Sequence, residues 1–227
     1  MHIEPGIVVG ATKLALGYAT AAGAIGYSAK LALDMAKKDG FGQMAARALI
    51  AAVLVLSFFE VLPHYPVGVS EVHFILGSTL FLMFGAGPAA LGLALGLLAQ
   101  GLLFAPADLP QYGMNVTSLL VPLLAISTLA NRIIPANTAY TDVSYKQALK
   151  LSTAYQGGVI AWVAFWAFYG AGFTAESMAS VATFGIAYIS VVAIEPVIDL
   201  GILAFAKNIR SMERSGLFQA RMYHTAA

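Results

Sequence analysis

The sequence predicts an all-α integral membrane protein of about seven transmembrane helices, with its N-terminus outside and its C-terminus in the cytoplasm. Composition is the first observation: of 227 residues, 59% are hydrophobic and only 10% charged, and the mean hydropathy is +0.80. Soluble domains carry roughly a quarter charged residues. The second is a recurrence of apolar runs approaching the ~20 residues that cross a bilayer. The third is the placement of the basic residues, which sort to one side of the membrane when the spans are counted in order.

The first span, 8–33, follows an acidic leader, Met1-His2-Ile3-Glu4-Pro5-Gly6, and carries its basic residues behind it. A cleaved signal peptide would have a basic start and a short apolar core, so the span reads as an uncleaved helix with its N-terminus outside. The polar stretch Asp34–Gly42 leads to a second span, 45–62, and Pro63–Ser70 leads to a third, 72–86. That third span is short and ends at the turn Gly85-Ala86-Gly87-Pro88; it is either a full crossing or a buried, broken helix. A fourth span, 88–105, and a fifth, 114–131, flank the turn-rich Pro106–Gly113. The longest polar stretch, 131–150, precedes a sixth span at 153–172. Its amphipathic piece, Tyr145 to Leu151, suits the membrane surface, either as a simple connector or as a docking surface for a partner. Gly172–Ser177 then leads to the seventh span, 180–206. The whole chain, 1–227, reads as one domain: an N-terminal segment 1–7, a helical bundle 8–206 and a tail 207–227.

With the N-terminus outside, the cytoplasmic connections, helix ends and tail hold Lys30, Lys37, Lys38, Arg47, Arg132, Lys146, Lys150, Lys207, Arg210, Arg214 and Arg221. Only Lys13 falls on the other side. The net charge of +1 offers nothing to nucleic acid, and the absence of cysteine excludes disulfides and thiolate metal sites. No phosphate loop, Ser-His-Asp pattern or HExxH helix occurs. The chain is therefore read as a non-enzyme, and any ATP-driven step as belonging to a partner.

Four histidines stand out. His224 lies in the tail and reads as inert. His2 follows the first residue, where the α-amine of Met1, the deprotonated amide of His2 and His2 Nδ1 can close two fused chelate rings. Such rings hold their donors in one plane, which favours Ni(II) or Cu(II), with Co(II) also possible, over tetrahedral Zn(II). An imidazole from elsewhere would complete the square. His73, near the outer end of the third span, is the candidate; the bland reading is an interfacial histidine bonded to a carbonyl. His64, between two prolines, reads as solvated. Glu71 either orients an imidazole or is a solvated loop carboxylate, and Asn115 either orients a ligand or caps the fifth span. Glu195 and Asp199, one helical turn apart, are either a proton path or a buried hydrogen-bonded contact.

These residues resemble a known family. Met1-His2-Ile3-Glu4-Pro5-Gly6, His73 with Gly77, Gly87-Pro88, Gln100-Gly101-Leu102-Leu103-Phe104 and Gly113-Met114-Asn115-Val116-Thr117-Ser118 together resemble the cobalt/nickel substrate-binding components of energy-coupling factor transporters, the CbiM/NikM family. Glu4 and Pro5 look transposed relative to its usual pattern. The resemblance implies uptake of Co2+ or Ni2+ as the transported ion, bound by the Met1 amine, the amide and imidazole of His2, and His73. It also implies seven spans in a bacterial or archaeal cytoplasmic membrane. The implied partners are a transmembrane coupling subunit, a cytoplasmic ATPase pair and sometimes a small accessory membrane protein. A secondary transporter or channel using Glu60, Glu195 and Asp199 is the alternative, and a membrane metalloenzyme using His64 and His73 a second.

Overall fold

A computed structural model describes Ile3, residues 10–135 and residues 138–208. Among these residues lie seven α-helices and one small hairpin: α1 (Ala11–Asp39), α2 (Phe41–Val61), β1 (Tyr65–Val67), β2 (Ser70–Val72), α3 (Gly77–Phe84), α4 (Ala86–Leu103), α5 (Tyr112–Ile133), α6 (Tyr145–Ala171) and α7 (Ala175–Asn208). Met1, His2 and His224 fall outside the described residues, as do Arg210, Arg214 and Arg221.

Four segments are long and apolar enough to cross a membrane: Phe41–Val61, Ala86–Leu103, Pro106–Ile133 and Ala175–Lys207. The chain is a helical membrane protein. α1 and α6, of 29 and 27 residues, are also long enough, but Gly, Ser, Thr and Tyr dilute their apolar character. The amphipathic piece Tyr145–Leu151 forms the first turns of α6. Ser144 starts that helix with a capping box: its hydroxyl accepts from Gln147 N–H, and the Gln147 side chain accepts from Ser144 N–H at 2.9 Å.

The third element departs most from a continuous span. α3 has 8 residues, about 12 Å of helix against a hydrocarbon core of ~30 Å. The chain reaches it through the β1–β2 hairpin and then residues 73–76 without regular structure, so the broken alternative is the one observed and the architecture is not purely helical. Gly68 occupies the first central position of the two-residue hairpin turn, with φ +63°. A type II′ turn needs a positive φ there, which glycine supplies at no steric cost. A side chain at Gly68 would also strike α7, its Cβ lying 2.3 Å from the Ser180 carbonyl oxygen.

Small residues let the long helices approach closely, as suits association in lipid, where apolar surface alone gives no preference for protein over acyl chain. A Cβ at Gly92 of α4 would lie 2.3 Å from Ala51 Cβ of α2, and one at Gly113 of α5 would lie 2.8 Å from the Gly17 backbone of α1. The core they close on includes Phe59, Leu80, Leu93, Leu119, Tyr155 and Tyr188, all buried. At the end away from the hairpin, Arg47 is buried and pairs with Asp39 at 2.7 Å. At the hairpin end, Lys13 donates to the Gly170 carbonyl in the last turn of α6, where a cation meets the negative end of the helix dipole.

Replacing Gly92 with Leu should force α2 and α4 apart, and overpacking of this kind costs about 1–3 kcal/mol. A thermal-unfolding assay in detergent should show a clear drop in midpoint. Gly23→Leu is the control, because a Cβ there meets nothing within 4 Å.

Candidate functional site

Breaking a helix inside a membrane frees backbone groups that water cannot satisfy, each at a cost of several kcal/mol if left alone. Here the last helix supplies the partners. The Glu195 carboxylate accepts from Ile75 N–H and from the Gln156 side-chain amide, and Tyr188 OH donates to Gln156 Oε1 at 2.7 Å. One turn on, Asp199 accepts from Ser78 Oγ at 2.6 Å and from Thr79 Oγ1. Both carboxylates lie at the N-terminal end of α3, the positive end of its dipole. They are the buried hydrogen-bonded contact of the two readings given for them. Leu76, with φ 53°, is the one non-glycine residue in the left-handed region among the described residues. It turns the extended chain into α3, and such a conformation persists only where its surroundings hold it.

This clamp fixes the residue two positions before Ile75. His73 is fully buried, and its Nε2 lies 2.7 Å from Glu71 Oε2. A neutral imidazole bonded to a carboxylate through Nε2–H presents its lone pair on Nδ1. Glu71 therefore orients His73 rather than standing solvated. The imidazole is flanked by Phe59, with ring centroids 5.0 Å apart, and by His64, also 5.0 Å away and nearly parallel at 14°. His64 is thus half-buried in the cluster, contrary to its expected solvation, because the Pro63–Pro66 loop folds back over His73.

The N-terminal segment reaches the same place. Ile3 is fully buried, its N–H donates to Asn115 Oδ1 at 3.0 Å, and it forms an antiparallel bridge with Ser70 of β2. Its side chain packs against Met114 and Trp166, with Leu14 and Trp162 alongside. Asn115 lies one turn inside α5, so it is no helix cap; its amide serves Ile3. Thr117 Oγ1 accepts from Trp162 Nε1 at 3.1 Å and from Trp166 Nε1 at 3.2 Å, which fixes both indoles beneath Ile3.

His73, Glu71, Asn115 and Ile3 are therefore gathered at the hairpin end. Glu60, near the end of α2, is only half-buried and is not part of this set. Among the described residues, no group of three His, Asp or Glu side chains could hold a metal ion. A cavity of about 230 Å³ lies at the opposite end of α3, lined by Phe81, Leu82, Ser127, Asn131 and Tyr140 among others. It is remote from His73.

Ile3 and Glu195 were not legible as parts of one site with His73, whereas His64 was joined to it only in the metalloenzyme alternative. Ile3 is an ordinary apolar residue in sequence, and Glu195 is 120 residues from Ile75. The chain's two tryptophans, spaced four apart in one span, were the available signal, since paired indoles on one helix face suit a packed site.

A family model described as the cobalt uptake substrate-specific transmembrane region, CbiM, matches residues 2–213. No curated protein and no solved structure matches the chain.

Asn115→Leu should leave the Ile3 N–H buried without its acceptor, a loss of about 1–3 kcal/mol, and release Ile3 from its seat. Both tryptophans lie at Ile3, so intrinsic fluorescence should shift and its quenching by iodide should rise. An unchanged spectrum would show that Asn115 does not hold Ile3.

Proposed function

The chain belongs to the CbiM family of cobalt-uptake substrate-specific transmembrane regions, and on that premise we propose how this transport component captures its ion. The ion, Co2+ or Ni2+, is taken up at the outer face by the Met1 amine, the deprotonated amide and Nδ1 of His2, and His73 Nδ1. These four nitrogens suit the planar preference set by fused chelate rings.

The observation that carries this reading is the anchoring of Ile3. Its backbone is tied to Ser70 and Asn115, and His73 follows Ser70 by three positions. The Cα of His2 is one peptide, about 3.8 Å, from that anchor, so the chelating end is tethered beside β2, which leads directly into His73. Glu71 supports the same reading by fixing the tautomer that offers Nδ1.

Charge placement favours an outer position for the hairpin end, with residues 73–76 and the short α3 as the broken third element between α2 and α4. Energy would come from a transmembrane coupling subunit and a cytoplasmic ATPase pair, with room for a small accessory membrane protein, in a bacterial or archaeal cytoplasmic membrane. The carboxylate-path alternative has less support, because Glu195 and Asp199 are both engaged in holding α3.

Ion binding must release the His2 amide proton and the ammonium proton of Met1, so affinity should fall as pH falls. Isothermal titration with Ni(II) or Co(II) across pH should show this slope. One residue inserted before His2, or His73→Ala, should abolish tight binding. Glu71→Gln should weaken it by about 10–100-fold. Undiminished affinity in the inserted or His73→Ala protein would reject the ligand set.

A further inference from the structure

We propose that Thr117 is a positioning residue for metal capture. Its single hydroxyl holds two tryptophans as the seat of Ile3, and through Ile3 it keeps the chelating terminus beside His73; this deepens the capture reading above and rests on it. Thr117 is fully buried on α5, and its Oγ1 makes three hydrogen bonds. It donates to the Met114 carbonyl at 2.8 Å and accepts from Trp162 Nε1 at 3.1 Å and Trp166 Nε1 at 3.2 Å. A hydroxyl has one proton to give and two lone pairs, so this oxygen is used to capacity.

The two indoles need such an acceptor. They stand four residues apart on one face of α6 and meet edge to face, with centroids 6.4 Å apart. Both N–H groups converge on the same oxygen, and their positive ends would repel without it. Trp166 is fully buried, so water cannot serve its N–H, and a buried donor without a partner is costly. A valine or leucine at position 117 would leave both donors unmet, and the rings would have to turn away to find others.

Ile3 is what the rings carry. Its side chain is fully buried against Met114 and Trp166, with Trp162 and Leu14 alongside. One turn of α5 therefore serves Ile3 in three ways. Met114 touches its side chain, Asn115 accepts its N–H at 3.0 Å, and Thr117 sets the rings of its seat. The proposed donors of Met1 and His2 immediately precede this residue. Seating Ile3 orders the adjoining chain before the ion arrives, so less freedom is lost in the binding step. Thr117 is assigned no contact with the ion; it acts on affinity through the seat.

Isothermal titration with Ni(II) on the full-length protein in nanodiscs provides the test, with the metal-free thermal midpoint measured beside it. Thr117→Val keeps the shape of the side chain and removes the hydroxyl, and its Kd should weaken by about tenfold. Thr117→Ser restores the hydroxyl and should return Kd to within about twofold of wild type. Ile3→Ala should weaken binding by a similar factor. Adding Thr117→Val to it should weaken binding by less than about twofold more, because residues acting through one seat are not additive. A lowered midpoint with unchanged Kd in Thr117→Val marks a purely structural hydroxyl and overturns the proposal. Full additivity with Ile3→Ala overturns it too, as does a Ser variant as weak as the Val variant. If Thr117→Val does not fold, Trp162→Phe decides in its place, because it removes one N–H from a half-buried ring. A several-fold weaker Kd that disappears in the Ile3→Ala background supports the seat, and an unchanged Kd overturns it. In all these outcomes His73→Ala lacks tight binding. Wild type that binds neither Ni(II) nor Co(II), or His73→Ala that binds normally, instead sinks the capture reading and this proposal with it.

Discussion

The hydrogen bond from Ile75 N–H to the Glu195 carboxylate is the constraint on which the rest depends. Non-helical backbone buried among apolar helices survives only where protein satisfies its polar groups, and residues 73–76 are such a stretch. Without an acceptor at Ile75, the cheapest arrangement would be to continue the helix or expel the segment. Either change would carry His73 away from its buried position. Glu195 is itself held by Gln156, and Gln156 by Tyr188, so the acceptor is placed by α6 and α7 together. Asp199 repeats the device one turn along on Ser78 and Thr79.

From that constraint the site assembles outward. Beside this segment, Ile3 forms an isolated antiparallel bridge with Ser70 of β2, while α5 contributes Asn115 to its N–H and α6 a pair of indoles to its side chain. Three helices, a hairpin and the N-terminal segment thus converge at one end of the bundle. The close helix contacts made by Gly92 and Gly113 hold α4 against α2 and α5 against α1.

Much of the scaffold was legible from residues alone. The long apolar runs map onto α1, α2, α4, α5, α6 and α7, because hydropathy is a local property that survives folding. The third span announced its irregularity through its length and its Gly-Pro boundary, and the structure resolves it into hairpin, extended chain and short helix. Other residues could be read only as pairs of alternatives. Glu71, Asn115, Glu195 and Asp199 each admitted a bland and a pointed role, and the deciding fact in each case was a partner: His73 two residues along the chain, Ile3 from 112 residues away, Ile75 from 120 and Ser78 from 121. His64 was read as solvated because two prolines suggested an exposed loop, whereas the loop turns inward over His73.

By itself the sequence determined that the chain is a membrane protein built of apolar helices, with titratable residues too costly in lipid to be incidental, and with the motifs of a cobalt-uptake family. Those features follow from composition, spacing and charge, which are properties of the chain in any conformation. Tertiary structure alone decided which polar groups meet. It assigned Glu195 and Asp199 to the end of α3, Asn115 to Ile3, and Glu71 and His64 to contacts with His73. A hydrogen bond is set by distances of about 3 Å, and no local pattern specifies such distances between residues a hundred positions apart.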